Sequence, residues 1–288
     1  MHIGACVVNK DANAHLHEVL GCLLKSDVSH VVIVDNDSED IPQSSHLSNP
    51  IVELVRNARN VGYGSACNAG VRLLDDCEYI VVCNPDISFD PSAIDLMASC
   101  LDRNPNVGIV GPELLTASGR RYSNGRRFLK SYFILLHLLL GRVWVGNPGT
   151  RNYHMAEADR TIEWNPEWIS GAFFLVRRTC WDKVAGFDEA YFMYMEDVDL
   201  CWRIRESGWQ VMIQPAARVT HIGDVSTSQR RVHMAIAHTR SSWTWWCKRH
   251  HGVWQPIFAL ALPLIAGLRI GGAAYDAMME RLKHWRSQ

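Results

Sequence analysis

Val81–Pro91 reads VVCNPDISFDP, and the order of residue types in it decides the fold class. It begins inside Tyr79–Cys83, an unbroken apolar run of strand length. Such a run without polar alternation is the pattern of a strand buried on both faces. Asn84-Pro85-Asp86 ends it. Pro85 has no N–H to give to a ladder and stiffens the exit, so the Asp86 carboxylate is presented at the edge of a sheet. Asp90-Pro91 then supplies an N-cap and a first-turn proline for a helix running to about Leu101.

The same alternation extends in both directions. Ile3–Val8, Val31–Val34, Ile51–Val55 and Val107–Val110 read as strands, with helices from about Asn13 to Leu24 and from Gly64 to Leu74. This order predicts an α/β fold, a mostly parallel twisted sheet with helices on both faces. Ligands of such sheets bind beyond the carboxyl ends of the strands, where Asp35 and Asp86 both fall. From about Thr116 to Trp164 the pattern loosens. Gly119–Arg127 is basic and turn-rich, Phe128–Leu140 is apolar enough for a buried or membrane-facing helix, and Gly146–Arg160 reads as a mobile loop. Order returns with Trp168–Val176, a helix from Glu196 and a strand at Gln210–Ile213.

Composition narrows the class. With 288 residues, 48% apolar and 20% charged, the chain can bury a full core and is not disordered. The formal net charge of -1 hides a division by position. From Gln229 onward there are 9 Lys/Arg against 2 Asp/Glu, leaving 20 basic and 28 acidic groups before it. Five of the eleven Trp lie in that basic tail, a mixture suited to an anionic membrane surface. Residues 256–275, PIFALALPLIAGLRIGGAAY, carry Pro263, Arg269 and three glycines, which fits an interfacial or partly inserted segment better than a span. A helical cap over the sheet is the plainer use of the same tail. Nucleic acid is excluded as a partner, because positive charge is mixed with apolar runs and the body is acidic. Nine cysteines without CxxC or regular spacing argue against a disulfide framework and a zinc site. Met1-His2 leads into IGACVV with no charged n-region or cleavage site, so the expected compartment is the cytoplasm.

Four constellations carry chemistry. GFDEAYFMYMEDVDLCWRIRESG, Gly186–Gly208, packs Glu196, Asp197 and Asp199 into four residues at a helix start, after an aromatic run. Acids there suit the helix dipole, and one held by Phe192, Tyr194 and Met195 is a well-placed general base. VVIVDNDSED places Asp35 at a strand end with Asn36 in the turn, where they can meet a nucleobase or ribose. Any turn also uses such residues. NARNVGYGSACNAG, Asn57–Gly70, superficially matches a dinucleotide fingerprint. Cys67 stands at the third glycine position, however, and the motif follows the third strand. Gly62 is better read as letting the backbone pass close to a nucleotide, with Asn60 and Asn68 fixing the loop; a purely structural turn fits equally. Asp86 alone is a poor Mg²⁺ or Mn²⁺ site unless phosphate oxygens and water complete the shell. His221 in HIGDVS is a candidate nitrogen ligand, which Mn²⁺ accepts more readily than Mg²⁺.

Taken together, DNDS, NxGYGxxxN, NPD, WISGAFFLVRR, GFDExxFMYMEDVDLCWR and HxxxxS resemble the family-two glycosyltransferases of the GT-A fold, over about residues 3–226. Within them the chain is similar to the rhamnosyltransferase-like group of bacterial surface polysaccharide synthesis. The resemblance implies a GT-A catalytic domain over residues 1–228, with a nucleotide-binding half (1–113) and an acceptor half (114–228), followed by a membrane-associating tail (229–288). It implies a nucleotide-sugar donor, most plausibly dTDP-L-rhamnose, bound by Asp35, Asn36, Asn60, Gly62, Asn68, Asn84 and Asp86. It also implies a lipid-linked glycan acceptor at Trp168 and Gly171, work at the inner membrane surface, and inversion at the anomeric carbon. Mg²⁺ or Mn²⁺ would sit on Asp86 and His221, although Asn84 replaces the first acid of the family's usual Asp-x-Asp. Asp197 would be the base, with Glu196 orienting it or the acceptor. A two-carboxylate glycosidase would leave Asn84-Pro85-Asp86 and Asp35 without a role. A nucleotidyltransferase would need a glycine-rich loop that VVNKDANAH lacks, and a non-catalytic glycan-binding scaffold would not need Asp86, Asp197 and His221 together.

Overall fold

The apolar runs form the sheet they predict. A computed structural model of the chain describes residues 2–122, 124–128, 137, 144, 146–222, 231–249, 260, 263, 266, 267 and 271. The expected apolar helix at Phe128–Leu140 and the segment 256–275 lie, but for single positions, outside the described residues.

Strands β1 (Ile3–Asn9), β2 (His30–Asp35), β3 (Val52–Arg56) and β4 (Tyr79–Cys83) pair in parallel in the order β3-β2-β1-β4. Every residue of β1 and β4 is buried, as continuous apolar strands require when both faces are covered. Helix α1 (Asn13–Leu23) buries Leu16, Val19, Leu20 and Leu23, one helical stripe. Helix α2 (Tyr63–Val71) follows β3. After β4 come a three-residue strand β5 (Ile87–Phe89), helix α3 (Ser92–Arg103) and strand β6 (Val107–Thr116). The N-cap of α3 is Pro91 rather than the expected Asp90, whose Oδ1 still accepts from the Ser92 N–H at 2.9 Å at the helix start.

The second half adds β7 (Gly125–Arg126), α4 (Pro148–Tyr153), β8 (Trp168–Ile169), β9 (Phe173–Arg177), α5 (Arg178–Val184), α6 (Glu196–Glu206) and β10 (Gln210–His221). Strand β9 runs antiparallel between β4 and β6, and the eight-stranded order is β3-β2-β1-β4-β9-β6-β10-β5. Four of its seven pairings are parallel, so the sheet is mostly parallel with two antiparallel insertions. Strands β7 and β8 form a separate antiparallel pair. Two local expectations are corrected. Gly146–Arg160 holds a helical turn rather than only loop, because Asn147 caps it from the side chain and Pro148 pre-sets its first position. Strand β10 continues past Ile213 to His221, through an irregularity between Gln214 and Arg218 that spans Pro215.

The chain divides into two compact units, residues 1–189 with 196–223 and residues 190–195 with 224–288. In the second, helix α7 (Arg231–Arg249) holds the aromatic run of residues 190–195. The Ser241 hydroxyl donates to the Met193 carbonyl at 2.8 Å, and Lys248 lies 5.3 Å from the Tyr191 ring centre. Among the described residues no helix is long and apolar enough to cross a membrane.

A close helix-to-sheet approach in the first unit generates a stability test. A Cβ on Gly70 of α2 would lie 2.6 Å from Cys6 Sγ and 2.8 Å from Val34 Cγ2. Gly70→Ala is expected to lose about 1–3 kcal/mol by overpacking, read as a lower urea midpoint. An unchanged midpoint would mean that α2 does not lie this close to β1 and β2.

Candidate active site

The polar residues at the end of β2 and before α2 are spent on one another. Asp35 is fully buried, accepts from Asn9 Nδ2 at 3.1 Å and pairs with Arg56 Nε at 3.2 Å. Asn36 donates to Asn60 Oδ1 and the Gly62 carbonyl, at 3.0 and 3.2 Å, and accepts from Asn57 Nδ2 and the Val61 N–H, both at 3.1 Å. Asn68 clasps a distant loop, donating to the Phe187 carbonyl and accepting from the Phe187 N–H, both at 2.9 Å. Gly62 takes φ +89°, a left-handed conformation glycine adopts without strain. The side chains of Asp35, Asn36, Asn60 and Asn68 thus shape loops, and a ligand there would meet mainly backbone.

The neighbouring strand end is different. Asn84 donates its backbone N–H to the Ala172 carbonyl at 2.9 Å, extending the β4–β9 ladder by one bond. Short β5 pairs antiparallel with the end of β10, setting His221 opposite Ile87. Asp86 Oδ2 and His221 Nε2 come to 3.2 Å, each side chain about one-fifth exposed. Burial pushes the Asp86 carboxyl up, but the hydrogen bond and charge of His221 outweigh it, and the net shift is downward. Donor atoms on adjacent corners of an octahedral ion at 2.0–2.1 Å stand about 3 Å apart, so the pair fits two such corners. Among the described residues no group of three or more His, Cys, Asp or Glu could hold a metal. Any ion here would take its remaining ligands from substrate and water.

Across the Asn84–Ala172 bond stands the acidic pair. The Gly171 N–H donates to Asp197 Oδ2 at 3.0 Å and the Val198 N–H to Oδ1 at 2.8 Å. Gly171 is small by need, since a Cβ there would lie 3.3 Å from Asp197 Cβ. Tyr63 fixes the same turn by donating its hydroxyl to the Gly171 carbonyl at 2.9 Å. Asp197 therefore takes its support from backbone amides, while Phe192 of the aromatic run is 48% exposed. Buried Asp199 serves α6 itself, accepting from Arg203 Nε at 2.6 Å. Trp168 is only 6% exposed, donates to the Arg127 carbonyl and has Arg126 at 4.9 Å from its ring, so it has little open face for a sugar. Reading the sequence missed Arg126 and Tyr63. The basic turn Gly119–Arg127 was visible, but the pairing of Arg126 with Trp168 across β7 and β8 has no signature in spacing.

The family model described as glycosyltransferase like family 2 matches residues 2–244. The chain belongs to this family. It is 34% identical over 236 residues to the N-acetylglucosaminyl-diphospho-decaprenol L-rhamnosyltransferase of Mycobacterium tuberculosis, covering 78% of this chain and 76% of that one. GalNAc-T7, solved with UDP, GalNAc and Mn²⁺, superposes with a TM-score of 0.60 at 14% identity over 78% of this chain and 44% of its own. The mannosyltransferase PcManGT of Pyrobaculum calidifontis, solved with GDP-Man and Mn²⁺, gives 0.58 at 16% identity over 95% and 73%. These likenesses show the GT-A fold, and the chain is a glycosyltransferase.

In this glycosyltransferase the two acids divide one proton unequally. Burial, then the Asp197 charge, pushes the Glu196 carboxyl up to about 8, and its buried Oε2 has no hydrogen-bond partner. Burial also raises Asp197, and its net shift is upward, but two backbone N–H groups and the Arg126 charge offset part of it. The proton belongs on Glu196 at neutral pH and the anion on Asp197. For stability the sign follows. Glu196 binds a proton in the folded state that the unfolded chain releases near its ordinary value, so stability falls as pH rises from about 4.5 to about 8. Glu196→Gln cannot ionise. Its melting temperature relative to wild type is expected to rise across that window, and a flat difference would remove the buried proton.

Proposed function

We propose that this glycosyltransferase moves L-rhamnose from dTDP-L-rhamnose, with inversion, onto an N-acetylglucosamine carried on a lipid diphosphate, in cell-envelope polysaccharide synthesis. The observation that supports the chemistry is the 3.2 Å Asp86–His221 pair, joined through the Asn84–Ala172 bond to the turn whose Gly171 N–H donates to the Asp197 carboxylate. The printed activity of the mycobacterial relative supports the sugar and the acceptor.

The carboxyl ends of β2 and β4 would receive the donor. Asn36 and Asn60 hold the loop that Gly62 lets approach, Asp35 and Asn68 brace it from behind, and Asn84 carries Asp86 to the sheet edge. Asp86 and His221 would hold Mg²⁺ or Mn²⁺. That ion supplies positive charge to the diphosphate as it departs. Asp197 takes the proton of the acceptor hydroxyl as it attacks the anomeric carbon. Glu196, neutral beside it, cannot act as a nucleophile. One anionic carboxylate suits single displacement, and inversion follows. The basic, Trp-rich tail from residue 229 would meet the cytoplasmic side of the inner membrane, where a lipid-linked acceptor is within reach.

Two measurements test this. Asp197→Asn is expected to lower transfer by about a thousandfold, the scale of a general base, while dTDP with Mn²⁺ still raises the melting temperature. Retained activity removes Asp197 from the base role. Asp86→Ala is expected to abolish the Mn²⁺-dependent part of that nucleotide stabilisation. If the variant keeps it, the ion sits elsewhere. A donor-hydrolysis screen over common sugar nucleotides then reads the sugar directly.

A further inference from the structure

One cation in the first unit acts on Asp197 through its charge but is given no contact with substrate in the reaction as written. Arg126 lies against three rings, 4.9 Å from the centre of Trp168, 5.6 Å from Tyr153 and 6.0 Å from Tyr122. It forms no ion pair with a carboxylate among the described residues, and its Nε is buried without a hydrogen-bond partner. A guanidinium whose faces rest on aromatic rings still offers its in-plane N–H groups, the fork that fits a phosphate. The surrounding hairpin is basic, with Arg120, Arg121 and Arg127 exposed on it.

Its position selects which phosphate. Trp168, paired with Arg126 across β7 and β8, is three residues before Gly171, whose N–H holds Asp197. Arg126 is thus tied to the strand that leads into Gly171, the residue whose N–H holds the Asp197 carboxylate, and its charge acts on that carboxylate. Towards the donor side stands Tyr122, whose ring centre is 6.3 Å from that of His221. The donor diphosphate already has Asp86 and His221 to address. A sugar carried on a lipid diphosphate brings a second anion, one ring-width from the reacting hydroxyl.

We propose that Arg126, framed by Trp168, Tyr153 and Tyr122, binds the acceptor's phosphate and so selects a diphosphate-linked sugar over a neutral one. This rests on the function proposed above and adds the group that reads the acceptor's anion. Trp168 then serves the acceptor through Arg126, rather than by stacking on a sugar.

The test compares two acceptors with the full chain. One is N-acetylglucosamine α-linked through a diphosphate to a short alkyl chain. The other is the alkyl N-acetylglucosaminide of the same length without phosphate. Wild type is expected to favour the first in kcat/KM. Arg126→Gln is expected to reduce that preference by roughly tenfold to a hundredfold, mainly through KM, the range for a lost hydrogen bond to a charged group. Removing charge near Asp197 slows both acceptors alike, so the ratio isolates the phosphate contact. Arg126→Lys keeps the charge without the planar fork, and is expected to recover only part of the preference. A ratio unchanged in Arg126→Gln overturns the proposal. So does loss of stabilisation by dTDP with Mn²⁺ in that variant, which would assign Arg126 to the donor. If wild type transfers to neither acceptor from dTDP-L-rhamnose, the function itself is wrong and the acceptor site falls with it.

Discussion

The antiparallel pairing of β9 with β4 is the constraint on which the site depends. A parallel sheet alone brings Asp35 and Asp86 to one edge, yet has no means of bringing in α6, far along the chain. Strand β9 enters between β4 and β6, and its ladder with β4 extends to the Asn84 N–H and the Ala172 carbonyl. That bond fixes Gly171 beside the Asn84-Pro85-Asp86 turn, and Gly171 in turn holds Asp197. One backbone–backbone hydrogen bond and one from the Gly171 N–H to the Asp197 carboxylate therefore set the spacing between the strand end that carries Asp86 and the acid on α6. Backbone bonds inside a sheet are among the least yielding contacts a chain can use for this.

The acidic pair shows how position turns similar side chains to different work. Both acids open the same helix, and both are raised by burial. Asp197 has two N–H donors pointed at it, whereas Glu196 has an unbonded buried oxygen. Hydrogen bonds to a carboxylate favour its charged form, and burial without them favours the neutral one. The difference between the two carboxyl groups comes from the reach of one turn at Gly171, which Tyr63 pins from the other side.

Much of this fold was legible because it is written in apolar runs. Tyr79–Cys83 and Ile3–Val8 carry their burial in their composition, and Asp90-Pro91 announces a helix start in the way capping physics requires. The unread parts have equally physical reasons. Strand β5 is three residues long and exists only because β10 offers it an edge. The extension of β10 is concealed by Pro215, which argues locally against a strand. At the site, residue types were read well and uses less so. Asn36, Asn60 and Asn68 look like ligand-binding amides, but an amide has two donors and two acceptor lone pairs, which also makes it the natural clasp between loops. Spacing cannot tell these uses apart. Arg126 was passed over for the converse reason, since its partners Trp168, Tyr153 and Tyr122 are gathered only by folding.

The sparing use of protein ligands has a consequence for the order of binding. Two donor atoms, Asp86 Oδ2 and His221 Nε2, make a weak site for a hard cation that prefers about six oxygens. With the ion absent, His221 Nε2 lies 3.2 Å from Asp86 Oδ2. Under the proposed function, a donor diphosphate would supply the missing oxygens, and ion and donor would bind better together than apart. By linkage each raises the affinity of the other by the same factor. Under the proposed reading, a site with a third or fourth protein ligand would keep its ion whether or not a donor had arrived. It would then leave a standing positive charge beside Arg126 and its basic hairpin, drawing the acceptor's phosphate toward the wrong pole. Two ligands would leave that pole without a standing ion until the donor is in place, which leaves the acceptor's anion to Arg126.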